Sequence, residues 1–171
     1  EKDFGWEDRF FLIGTSKAGM DWPYVLPGPG DEWGGTWSTS GWRSHVLNIL
    51  FGIARLPSKG NWKLVVDLMD NSADDPPLFK VTVNGNSWEY QLPPGSGNNT
   101  IEGSEHSGRK HQIEIPVANK LWNTGGNEIN LTILQGSWVM FDQVRLEGPG
   151  TARLTENREV FLRNVEAADY A

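Results

Sequence analysis

Apolar and polar residues alternate along most of the chain, a period-two pattern that predicts strands with one buried face. In Trp62–Asp70 the residues Trp62, Leu64, Val66 and Leu68 fall on one side. Phe79, Val81 and Val83 do the same between Lys80, Thr82 and Asn84. Asn84-Gly85 then predicts a tight hairpin into Ser87–Leu92, because both central residues of such a turn take positive φ. Further strands are predicted at Arg9–Gly14, at His45–Leu56 with Gly52 as a bulge or bend, at His111–Val117, at Glu128–Leu134 and at Val139–Glu147. The last of these changes phase: Val139 and Phe141 are odd, Val144 and Leu146 even. One inserted residue near Asp142-Gln143, a β-bulge, restores the alternation. Turn signals separate the runs every 8–20 residues, the spacing of an antiparallel sandwich.

Three stretches break the pattern. Gly14–Gly41 is rich in glycine and proline and carries Trp22, Trp33 and Trp37, with Trp42 just beyond. Pro93–Lys110 is a Gly/Ser/Asn-rich loop, and Val117–Trp122 reads as a helical turn. After Gly148-Pro149-Gly150 the alternation weakens, apart from a β-like run at Glu159–Val165. The organisation expected is one domain over 1–150 and a connector toward a following domain over 151–171. The start at Glu1 rather than Met fits a piece of a longer chain.

Composition narrows the classes. The 171 residues suit one ordinary domain able to hold a core without staples. There is no cysteine, which excludes disulfides, thiolate zinc and cysteine nucleophiles. A net charge of −7 argues against a nucleic-acid partner, which requires a basic face. No apolar run approaches the roughly 20 residues of a membrane span. Tryptophan, at 9 residues, outnumbers phenylalanine at 7 and tyrosine at 3, more than a β core of this size needs. Flat rings with one N–H donor suit both cores and sugar-stacking platforms.

Several blocks, in order, carry a resemblance: Leu12-Ile13-Gly14-Thr15-Ser16, Met20-Asp21-Trp22-Pro23-Tyr24, Val81-Thr82-Val83-Asn84-Gly85, Gly126-Asn127-Glu128-Ile129-Asn130-Leu131-Thr132 and Val139–Glu147. Over roughly residues 9–147 the chain resembles the carbohydrate-binding-like domain III of polysaccharide lyase family 4, the rhamnogalacturonan lyases. The resemblance implies an all-β, galactose-binding-like jelly-roll sandwich appended to a catalytic domain acting on plant cell-wall pectin. It further implies a secreted, periplasmic or cell-surface bacterial protein whose partners are a polysaccharide or oligosaccharide and that catalytic domain. It does not make this chain a lyase.

No catalytic constellation is visible. The histidines are His45, His106 and His111, and no metalloprotease, nucleophile-elbow or phosphate-loop motif occurs. The adjacent carboxylates Asp31-Glu32 and Asp74-Asp75 cannot face each other across a scissile bond, as glycosidase pairs must. A Ca2+ role is open. Calcium takes oxygen ligands, and the resemblance implies that an aspartate placed as Asp142 can bind structural calcium with N-terminal acids such as Glu7 and Asp8. The competing role for Asp142 is to accept backbone N–H groups at the bulge.

Sugars offer C–H faces to aromatic rings and hydroxyls to acids, amides and cations. Trp33 and Trp42, with Arg43, Asp31 and Glu32, are the candidate carbohydrate site; packing over the sandwich is the alternative for the same rings. Trp62 and Trp138 are in phase with the core, Trp122 is expected to cap one end, and Trp88 could face either way. The acidic run Asp70–Asp75 is expected as a solvated turn, and Asn130, although in an N-x-T sequon, lies mid-strand. The function expected is a non-catalytic carbohydrate-binding module; the rival is a packing module that binds no sugar.

Overall fold

A computed structural model describes residues 8–31, 45–98, 100–103 and 107–155. The alternating runs form the strands predicted from them, and two short strands form in stretches read as irregular and as connector. These are β1 (Arg9–Leu12), β2 (Val25–Leu26), β3 (Val46–Arg55), β4 (Asn61–Asn71), β5 (Leu78–Val83), β6 (Asn86–Gln91), β7 (His111–Ala118), β8 (Gly125–Gln135), β9 (Val139–Glu147) and β10 (Arg153–Thr155). A one-turn helix, α1 (Ala18–Asp21), interrupts the irregular segment after β1, and the turn expected near Trp122 is a 3-10 turn at Asn119–Leu121.

Two sheets stack as a sandwich. One runs β1-β3-β8-β5-β6, with β10 also on β3; the other runs β2-β9-β4-β7. All pairings are antiparallel except β1 with β3, which is parallel. β8 occupies one edge of β3, so β1 and β10 share the other, β1 beside Leu47–Leu50 and β10 beside Gly52–Arg55. Residues 153–155, in the stretch read as a connector, thus extend the first sheet.

The inward faces meet in one core. Leu47, Ile49, Phe51 and Ile53 of β3 oppose Leu64, Val66 and Leu68 of β4, with Phe79, Val81, Ile115, Leu131 and Phe141 around them. The tryptophans expected inside are there: Trp62, Trp122 and Trp138 are buried. Trp122 packs on Trp62 at 5.3 Å and on Phe51 at 5.8 Å between ring centres, closing that end of the sandwich. The Trp62 indole N–H donates to Asn119 Oδ1 at 2.8 Å, which satisfies the one polar atom of a buried ring. Trp88 is half-buried against the core.

Two details differ from the sequence reading. Gly52 carries no bulge toward β8, since the ladder runs unbroken through Gly52↔Gly126; the irregularity lies on the other edge, where β10 shifts register between Arg153 and Leu154. The run Asp70–Asp75 is not one solvated turn. Asp70, Asn71 and Ser72 are buried, and only Asp74 and Asp75 are exposed. The hairpin at Asn84-Gly85 has the expected positive φ at both residues, 46° and 83°. Asn130 is buried and donates to Asn48 Oδ1 at 2.7 Å, so it forms part of the sheet packing.

Candidate functional site

The segment Ile13–Tyr24 leaves β1 in one sheet and enters β2 in the other, crossing the side of the sandwich as a strap. Local hydrogen bonds shape it: Leu12 N–H donates to Ser16 Oγ at 2.9 Å and Lys17 N–H to Asp21 Oδ2 at 2.7 Å. Trp22 roots the strap, edge-on to Phe11 at 5.4 Å and to Phe141 at 5.5 Å. The Tyr24 carbonyl accepts the Phe141 N–H at 2.8 Å. Beneath the strap lies a cleft of about 370 Å³ whose walls include Phe11, Ile13, Trp22, Tyr24, Val144 and Leu154. That size matches small-ligand sites, roughly 300–1,000 Å³. Tyr24 is 54% exposed, and Met20 and Leu154 are exposed as well.

β9 forms the opposite wall and explains why the cleft stays open. Asp67 pairs with Gln143 and Leu68 with Phe141, so Asp142 is the extra residue of a β-bulge, as its phase change predicted. Asp142 and Gln143 are consequently both exposed, while Val144 and Leu146 return to the core side. β2 pairs only with Val139 and Met140. Among the described residues no strand covers the edge of β9 beyond Phe141, and Asp142, Gln143, Val144 and Leu146 of that stretch line the cleft. The Asp142 carboxylate turns outward to Lys110 Nζ at 3.4 Å.

Of the residues expected to bind sugar, Trp33, Trp42, Arg43 and Glu32 lie outside the described residues, as does Glu7. Asp31 is buried where the loop after β2 meets the loop before β9. Its Oδ2 accepts Gly28 N–H at 2.8 Å and its Oδ1 accepts the Ser137 hydroxyl at 2.5 Å. Asp8 Oδ1 accepts the Val46 N–H at 3.0 Å, fastening the start of β1 to β3. Among the described residues no three His, Asp or Glu side chains converge on a point that could hold a metal ion, so Asp8 and Asp142 do not by themselves build a calcium site.

Sequence reading missed the role of Asp70. Its carboxylate accepts the Ser96 hydroxyl, the Ser96 N–H at 2.9 Å, the Thr100 hydroxyl at 2.6 Å and the Arg109 N–H at 3.2 Å. One buried anion thereby organises the Pro93–Lys110 loop. Burial pushes the Asp70 carboxyl up, but hydrogen bonds from Ser96, Thr100 and the Asn71 backbone together outweigh it and hold the group below its ordinary value. Neighbouring His111 is lowered, mainly by burial and further by Arg109, against the pull of Asp70. The available signal was a hydroxyl- and glycine-rich loop following a strand that ends in a carboxylate.

The outer face of the second sheet is a ladder of paired charges. Lys63 bridges Glu114 at 3.0 Å and Glu147 at 3.3 Å; Arg145 bridges Asp67 at 2.5 Å and Glu147 at 3.1 Å. Lys63 is raised by Glu114 and then Glu147, and Glu147 is lowered by Arg145 and then Lys63. Such exposed pairs contribute little stability each, and they answer one another's charge. His45 is buried at the start of β3, where its carbonyl accepts the Thr132 hydroxyl at 2.7 Å; His106 lies outside the described residues.

A family model described as CBM-like, polysaccharide lyase family 4, domain III, matches residues 2–146. A rhamnogalacturonate lyase of Dickeya dadantii (strain 3937) is 31% identical over 140 residues, which are 81% of this chain and 22% of that protein. Among solved structures, a family 35 carbohydrate-binding module from an environmental isolate aligns with a TM-score of 0.43 at 15% identity, covering 66% of this chain and 70% of that one. The family 35 module of Cellvibrio japonicus Abf62 aligns with a TM-score of 0.38 at 15% identity, covering 65% and 70%.

Proposed function

The chain belongs to the carbohydrate-binding-module-like domain III of polysaccharide lyase family 4, and from that membership we propose that it binds rhamnogalacturonan as a non-catalytic module of a secreted, multidomain bacterial enzyme that degrades pectin. The observation that carries this reading is the cleft under the Ile13–Tyr24 strap, where an exposed aromatic ring and an uncovered strand edge border an apolar hollow. An apolar pocket with a few convergent polar groups is the arrangement by which proteins hold small ligands. The module's task is to hold polysaccharide beside a catalytic domain in the parent chain, and a pectic lyase is the parent that fits the curated relative.

Affinity is expected to be weak. Sugar hydroxyls exchange water for protein partners at little net gain, so apolar area dominates at about 25 cal/mol per Å². One ring covering on the order of 60–80 Å² supplies only about 1.5–2 kcal/mol, while millimolar binding needs about 4. Two rings, or one ring and further apolar contact in the cleft, are therefore required. Calorimetric titration with rhamnogalacturonan oligosaccharides should give saturable binding near millimolar, with no new unsaturated or reducing ends. Depolymerisation abolished by changing a carboxylate of this chain would make it an enzyme; a complete lack of binding would leave packing against its neighbour as its role.

A further inference from the structure

We infer that the cleft selects the neutral 6-deoxyhexose of the polymer, the rhamnose residue, over galacturonate, with Tyr24 stacking on the sugar and the free edge of β9 meeting its hydroxyls. The inference rests on the carbohydrate-binding reading above and names the subsite and its preference.

Charge decides first. The cleft walls hold no lysine, arginine or histidine among the described residues, and a carboxylate, Asp142, stands at the rim. The whole chain carries −7. A uronate placed here would lose water with no cation among the described lining residues to replace it, and a buried unpaired carboxylate is strongly disfavoured. At the rim, Lys110 is engaged with Asp142 at 3.4 Å. A polymer that alternates a uronate with a neutral sugar can be held here only by the neutral one.

Shape and polarity then choose among neutral sugars. The inner walls are aliphatic and aromatic, with Phe11, Leu64, Ile129 and Val144 leading down to the core. A hexose with a hydroxymethyl group would bury a hydroxyl against these side chains without a partner. A 6-deoxy sugar carries a methyl there and loses nothing polar. Its ring hydroxyls stay at the mouth, where the backbone of β9 beyond Phe141 is free of strand partners among the described residues. Tyr24, half-exposed at the same mouth, offers a ring face and a hydroxyl.

The test uses the whole chain and three probes: an oligosaccharide of alternating rhamnose and galacturonate, an oligogalacturonate of equal length, and free rhamnose. Wild type should bind the alternating oligosaccharide, with free rhamnose competing and oligogalacturonate not. Tyr24→Ala should weaken binding about tenfold, the loss of one stacked ring with its hydrogen bond, with the melting temperature unchanged because the ring is exposed. Ala18→Trp, which fills the cleft from the strap, should abolish it. If wild type binds the alternating oligosaccharide but neither variant changes the affinity, or if oligogalacturonate binds equally well, this subsite is wrong while the carbohydrate-binding reading stands. If wild type binds none of the probes, both fall.

Discussion

The Ser137 hydroxyl donates to Asp31 Oδ1 at 2.5 Å, across 106 residues of sequence. The other oxygen of the same carboxylate takes Gly28 N–H at 2.8 Å. Asp31 therefore ties the loop after β2 to the loop before β9, and its acid is committed to the fold. Replacing it with alanine orphans both donors at a buried site. Hydrogen bonds to a charged group contribute about 1.5–3 kcal/mol, which in a domain of this size lowers the melting temperature by roughly 3–12 °C. Thermal unfolding of Asp31→Ala measures this directly. A variant that melts with wild type but binds sugar poorly would return Asp31 to the ligand site.

Acidification should weaken the fold in two stages. A group whose folded pKa is depressed makes the unfolded chain the better proton acceptor, so stability falls as pH drops below the unfolded value. For His111, lowered mainly by burial, the loss begins below about pH 6.5. For Asp70, held low by Ser96, Thr100 and Asn71 against its burial, it begins below about pH 3.9. Urea unfolding at pH 7, 5.5 and 3.5 should show declining midpoints, and His111→Gln should flatten the first interval. A midpoint that rises on going from pH 7 to 5.5 would contradict the assignment.

How much of this was legible depended on whether a feature left a periodic trace. The strands did, because alternate residues on a half-buried strand must alternate in polarity, and Trp62, Leu64, Val66 and Leu68 show it, with the buried Val65 the one break in the run. The bulge at Asp142 did, because an inserted residue shifts the phase of everything after it. The cleft did not. It arises where Ile13, Trp22 and Tyr24 cross between sheets and meet a strand edge more than a hundred residues later, a relation with no local period. Asp70 was misread for a similar reason. Its donors come from Ser96, Thr100 and Arg109, and without them an acidic run looks solvated.

Glycine at 136 is required twice over, by conformation and by space. Its φ is +83°, and a Cβ there would stand 2.8 Å from the Pro76 carbonyl oxygen and 2.9 Å from Pro77 Cα. Gly125 has φ +99° with nothing within 4 Å, so it isolates the conformational part. Gly125→Ala should cost about 1–2 kcal/mol, the usual left-handed penalty, and Gly136→Ala about 2 kcal/mol more, since backbone rather than a mobile side chain must yield. Equal losses in the two variants would mean that the loops around Pro76 give way freely.

Calcium removal tests the remaining reading of Asp142. The bulge does aim this carboxylate outward, as a metal ligand would need, but Lys110 answers it at 3.4 Å, and Asp8 spends one oxygen on the Val46 N–H. A divalent ion needs several converging oxygens, and among the described residues these two acids do not join such a group. A bound ion at a hundredfold excess over its dissociation constant would add about 2.7 kcal/mol, an effect thermal unfolding resolves easily. If no ion binds, the melting temperature is the same in EDTA and in millimolar calcium, and Asp142 keeps only its pair with Lys110. Asp142→Ala should lose only the 0–1 kcal/mol, roughly, of an exposed ion pair. A drop in EDTA that calcium reverses and Asp142→Ala abolishes would establish Asp142 as a ligand, with Glu7 the next residue to change.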